Sequence, residues 1–63
     1  MLLKQGSKGS EVKKLQESLG LTADGIFGAG TKLAVIKFQK KNKLVADGIV
    51  GSSTWEVIGI DTD

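Results

Sequence analysis

A chain of 63 residues allows one small domain, which buries only about 60% of the surface its unfolded form exposes and is correspondingly marginal in stability. With no cysteine and no histidine, the sequence offers no disulfide, no zinc site of the usual kind and no histidine general base, so neither a metal nor a cofactor is expected. Its 40% hydrophobic and 25% charged residues are those of a globular chain, and the net charge of +2, carried by lysines without one arginine, falls short of the basic stripe that nucleic-acid binders show.

The opening MLLKQGSKGS holds two leucines before a polar run. That apolar stretch is too short for a signal peptide or a membrane span. Work outside the cytoplasm would therefore rest on an export route that this segment does not encode, a phage system among the alternatives.

In SEVKKLQESLG, Val12, Leu15 and Leu19 recur at helical spacing and predict one apolar stripe. Ser10 is the expected N-cap, Glu11 suits the positive end of the helix dipole, and Gly20 stands where a C′ glycine ends a helix. The loop ADGIFG follows. A second helix is expected in AGTKLAVIKFQKKNK, with Ala34, Val35 and Phe38 on one face and Thr31 a turn earlier. Lys37, Lys40, Lys41 and Lys43 load its later half, where cations complement the dipole. A second loop, ADGIVG, leads into a short third helix, SSTWEVIG, with Thr54, Val57 and Ile58 inward and Ser52 or Ser53 as cap.

The two loops belong to a longer repeat. An offset of 23 residues maps Val12 onto Val35, Gln16 onto Gln39, Leu21 onto Leu44, Asp24 onto Asp47 and Thr31 onto Thr54. The expected fold is all-α: a compact three-helix bundle built from two helix–loop repeats that share the middle helix. The domain should fill 1–63, with its core at about 6–59 and tails at 1–5 and 60–63. Within each loop, Asp-Gly is a turn dipeptide. Ile26 and Ile49 are expected to plug the gap between helices, and DGIFG and DGIVG to form at most a brief extended bridge. Gln16 and Gln39 lie at one spacing before Asp24 and Asp47, where a buried amide would satisfy backbone groups of the following loop.

Taken in order, Val12–Gln16, Asp24–Gly28, Thr31–Gln39, Asp47–Gly51 and Thr54-Trp55 resemble the pattern of the peptidoglycan-binding domain family of bacterial and phage cell-wall hydrolases. The match runs from Gly6 to about Ile58. Two departures stand out. Ala29 and Ser52 occupy the first helical positions where relatives often carry proline, and the GLTADG connection is short. The resemblance implies non-catalytic binding of peptidoglycan, at the glycan or the peptide stem, by a monomeric module that holds an associated hydrolase on its substrate at the cell wall. The alternative is an interaction module that docks on a catalytic partner domain. No membrane or nucleic-acid partner is expected.

The contact surface is expected on the loops and helix starts, at Asp24, Phe27, Gly28, Thr31, Asp47, Gly51 and Trp55, together with Ile36. Phe27 is either a core plug or a residue beside a cleft. Trp55 either packs over the preceding loop or offers a stacking platform. Ile36 falls outside the Thr31–Val35–Phe38 stripe, beside Leu33, and suits a ligand, a partner or a second copy. Catalysis is not expected, because Asp24 and Asp47 are the only repeated carboxylates and both are explained by their turns. A calcium loop is excluded by ligand count, since each Asp-Gly turn is preceded by a single carboxylate.

Overall fold

The computed structural model describes residues 2–59. It contains three helices, α1 (Ser10–Ser18), α2 (Ala29–Lys41) and α3 (Ser52–Ile58), and among the described residues no strand, only two isolated antiparallel bridges. Met1 and the tail expected at 60–63 lie outside the described residues. No helix is long and apolar enough to cross a membrane among them.

The stripe read from α1 is the core. Val12 and Leu15 are fully buried and meet Val35 from α2, Trp55 from α3, and Phe27 and Val50 from the two loops, with Leu19 and Ile58 packed against them. Two neighbouring expectations shift by one residue. Ile26 and Ile49 are exposed, and the plugs are the residues after them, Phe27 and Val50. Each loop is extended at this point, so consecutive side chains take opposite sides and only one of the pair can face the helices. Val57 likewise faces solvent, and Ile58 alone packs inward at the end of α3.

Leu3, assigned by sequence to the tail at 1–5, belongs to the core with only 7% exposure. Its N–H and carbonyl pair with Val50, at 3.1 and 2.7 Å. The chain then runs on to the first loop. There the Gly6 N–H donates to the Phe27 carbonyl at 2.8 Å, the Phe27 N–H to Ser7 at 2.9 Å, and the Gly9 N–H to Gly25 at 3.0 Å. The segment before α1 is therefore a strap that ties both loops together.

The helix starts carry no side-chain caps. Gly9, Gly28 and Gly51 occupy the cap positions, and Ser10 and Ser52 are already the first helical residues. The helix ends follow the sequence more closely. Gly20 closes α1 at φ 74, with its N–H on Glu17 and the Leu21 N–H on the Gln16 carbonyl, which is the Schellman pattern. The same two bonds close α2, from Lys43 to Lys40 and from Leu44 to Gln39, but Lys43 must adopt φ 59 with a β-carbon.

The buried amides do what their spacing suggests. The Gln16 Oε1 accepts the Gly25 N–H at 2.9 Å, and its Nε2 lies 2.8 Å from Asp24 Oδ1, 3.0 Å from the Ile26 carbonyl and 3.1 Å from Thr31 Oγ1. Gln39 repeats every bond onto Gly48, Asp47, Ile49 and Thr54, at 3.0, 3.3, 2.9 and 3.2 Å. One oxygen faces the N–H and one nitrogen faces three oxygens, so each amide has a single orientation. No buried side-chain nitrogen or oxygen is left without a partner among the described residues.

Two outcomes follow from these contacts. Replacing Lys43 with glycine removes a left-handed β-branch-free but Cβ-bearing residue, and a melt should show stabilisation by about 0.5–1 kcal/mol, the left-handed cost less the added chain entropy of glycine. Gln16→Ala strands the buried Gly25 N–H and the Ile26 carbonyl, and should cost about 2–4 kcal/mol in urea unfolding. Against a total of roughly 3–9 kcal/mol for a chain of this size, that brings the domain close to unfolding.

Candidate functional site

Two hollows open around the second loop. The larger, about 450 Å³, runs from the end of α2 across the loop to the start of α3, and lies in the range of roughly 300–1,000 Å³ typical of small-ligand sites. Gln39 and Thr54 form part of its lining, Leu44, Val45 and Ile49 give it aliphatic walls, and Lys43, Asp47, Ser52 and Ser53 supply polar groups. A shallower hollow of about 200 Å³ lies on the other side of the Asp47–Ile49 turn and adds Lys4, Gln5 and Lys32. Asp47 and Ile49 line both, so the turn stands as a ridge between them.

The ridge is held from beneath and from the side. Asp47 Oδ1 accepts the Ile49 N–H at 2.9 Å as well as the Gln39 amide, and so fixes the turn. Gly48 has φ +76, and a methyl there would lie 2.9 Å from Lys32 Cγ and 3.4 Å from Ile36 Cγ1. The stem of Lys32 and the Ile36 side chain therefore pack directly on the turn, and any larger residue at 48 would push them away.

The expected contact residues divide into three groups. Asp47 and Gly51 come together in the larger groove. Phe27 is 1% exposed and Trp55 5%, and both rings belong to the core; Thr31 is buried as the acceptor for Gln16. Neither ring is a platform on the surface. Asp24 and Gly28 sit at the first loop, and half-buried Ile36 packs on Gly48 instead of standing free beside exposed Leu33.

Of the ten lining residues the expected contact set names only Asp47 and Gly51, and the eight it leaves out include Lys43, Val45, Ser52 and Ser53. A signal for these four exists. At the 23-residue offset their counterparts are Gly20, Thr22, Ala29 and Gly30, so all four differ between the repeats. The remaining lining residues, Gln39, Leu44, Asp47, Ile49, Gly51 and Thr54, are identical to theirs. The groove thus combines six positions shared by the repeats with four that differ.

Among the described residues no group of three or more carboxylates, histidines or cysteines could hold a metal ion. At the first loop, the Ile26 N–H and the Gln16 amide stabilise the ionised carboxyl of Asp24 and hold it below the ordinary value of 3.8.

The duplicated loops on buried glutamines and the groove beside one of them define a small, repeat-built helical module with a groove on its second repeat. The chain belongs to the peptidoglycan binding domain family, whose model matches residues 8–58. It is similar to a Clostridioides difficile peptidoglycan-binding protein solved with glutamine hydroxamate, at 41% identity and a TM-score of 0.91, covering 94% of this chain and 40% of that one. A fused zinc-dependent amidase/peptidase with a peptidoglycan-binding domain from Clostridium acetobutylicum is similar at 37% identity and a TM-score of 0.91, covering 100% of this chain and 31% of that one. A Burkholderia AP3 phage endolysin matches at 39% identity and a TM-score of 0.91, covering 94% of this chain and 25% of that one. The chain thus spans two fifths or less of the length of these relatives.

The depressed Asp24 carboxyl carries a pH dependence of definite sign. Its contribution to stability is fully present above 3.8 and is lost as pH falls from there through its lower folded value. Asp24→Asn should flatten the acid limb of a pH series of thermal melts relative to the parent.

Proposed function

We propose that this chain binds bacterial cell-wall peptidoglycan without catalysing its cleavage, through the groove on its second loop, and that it holds an associated hydrolase on the polymer outside the cytoplasm. The observation that carries the reading is the groove of about 450 Å³ beside the second loop, four of whose ten lining residues differ from their first-repeat counterparts. Family membership supplies the class of ligand. The similarity to an endolysin and to a fused amidase/peptidase supports a hydrolase as the tethered partner.

Within that reading the first repeat is scaffold. Asp24, Gly28 and Thr31 hold the fold, and Asp47 and Gly51 serve both the fold and the groove. A shallow groove of this size supports an affinity of roughly 10 µM to 1 mM, or about −7 to −4 kcal/mol. Retention on the wall comes from repeating sites and from the tether, which raises effective concentration.

The test is co-sedimentation of the purified domain with insoluble peptidoglycan stripped of secondary polymers. Binding should persist at about 1 M salt, where the Debye length of about 3 Å screens the lysines. Val45→Asp, at a side chain 78% exposed, should abolish sedimentation while leaving stability within about 0.5 kcal/mol of the parent. Failure to sediment at about 1 M salt or at about 0.1 M would overturn the proposal in favour of docking on a catalytic partner.

A further inference from the structure

We infer that the groove takes the peptide stem of peptidoglycan and not its sugar strand, an inference that rests on the wall-binding reading above. The aromatic residues argue first. The chain has two phenylalanines, one tryptophan and no tyrosine. Phe27 and Trp55 are buried in the core, Phe38 is half-buried on α2, and none lines either hollow. Sugar faces are held chiefly by stacking on exposed rings, and the groove has no ring to offer.

Its charges argue second. Lys43 and Asp47 line the larger groove, and the adjoining hollow adds Lys4 and Lys32, which makes three ammonium groups around one carboxylate. Asp47 spends Oδ1 on the Gln39 amide and the Ile49 N–H, which leaves Oδ2 for a ligand amine. A strand of N-acetylated sugars is uncharged once its lactyl carboxyls are amide-linked to the stems, so it gains nothing from such a rim. The stem carries the complementary groups: several carboxylates for the lysines, one side-chain amine for Asp47 in stems built on a diamino acid, and alanine methyl groups for the Val45 and Ile49 walls. Ser52 and Ser53 add hydroxyls that suit peptide amides.

The comparison between repeats points the same way. Relative to Gly20, Thr22, Ala29 and Gly30, the second repeat gains an ammonium, an aliphatic wall and two hydroxyls, and no aromatic residue. Each gain is one that a short charged peptide would use.

The decisive experiment titrates a synthetic stem tetrapeptide (L-Ala, D-Glu, a diamino acid, D-Ala) and, separately, an uncharged oligomer of N-acetylglucosamine into the ¹⁵N-labelled domain, beside sedimentation with intact sacculi. The tetrapeptide, at roughly millimolar concentration, should shift resonances of residues 43–54 but not those of 20–31, and the sugar oligomer should bind at least about fivefold more weakly. Restoring first-repeat residues by Lys43→Gly and Val45→Thr should each weaken peptide binding about two- to fivefold. The first of these is expected to raise the melting temperature, so loss of binding there cannot be loss of fold. Equal or tighter binding of the sugar oligomer, no shifts with the tetrapeptide, or tetrapeptide shifts confined to 20–31 would overturn the stem inference and leave wall binding standing. Absence of sedimentation even with intact sacculi would remove the wall-binding reading, and the inference with it.

Discussion

Each loop of this domain is folded around a side-chain amide that acts as a piece of internal backbone. Gln16 and Gln39 reach out of their helices, accept the N–H of the turn glycine, and donate to the turn carboxylate, to the next carbonyl and to a threonine on the following helix. One glutamine thereby joins three elements: its own helix, the loop and the helix after it. In a domain this small, where apolar burial contributes little surplus, an orphaned loop amide would cost a large share of the net stability. The amides satisfy those groups without water and fix the loops in one shape.

That shape explains the duplication. One helix–loop unit cannot bury its apolar face alone, whereas two units sharing α2 enclose Val12, Leu15 and Val35, with Phe27 and Val50 entering from the loops. The strap before α1 closes the arrangement by bonding to both loops, from Leu3 against Val50 to Gly9 against Gly25. The turns are held in place from both sides, by glutamines on one and by the strap on the other, so their outer surfaces are free to vary without endangering the fold.

Four of the exchanges between the repeats fall on the groove. The second repeat keeps Gln39, Asp47, Gly48, Gly51 and Thr54 and exchanges Gly20, Thr22, Phe27, Ala29 and Gly30 for Lys43, Val45, Val50, Ser52 and Ser53. Lys43 is the most telling exchange, because it occupies a left-handed position at which the first repeat places glycine. A local strain accepted at a groove residue is what a binding role would explain and what the fold by itself would not require.

The sequence determined the three helices, the 23-residue repeat and the glutamine–aspartate network, because all three are encoded at short range: stripes at helical spacing, turn dipeptides, and an amide at a fixed short spacing before each turn aspartate. The ordered motifs also carried the family. What the tertiary structure decided was every feature that depends on pairing between distant segments. Phe27 faces inward and Ile26 outward because the strap pairs with an extended loop and sets its register, and a stretch of a few residues has no periodicity of its own to choose between the two. Leu3 is core for the same reason, since its partner Val50 stands near the other end of the described chain. For Trp55 the sequence allows packing or stacking on a ligand, and the tertiary structure buries it in the core. The groove, likewise, exists only once the end of α2 and the start of α3 flank the second loop, a proximity that no local pattern in the sequence contains.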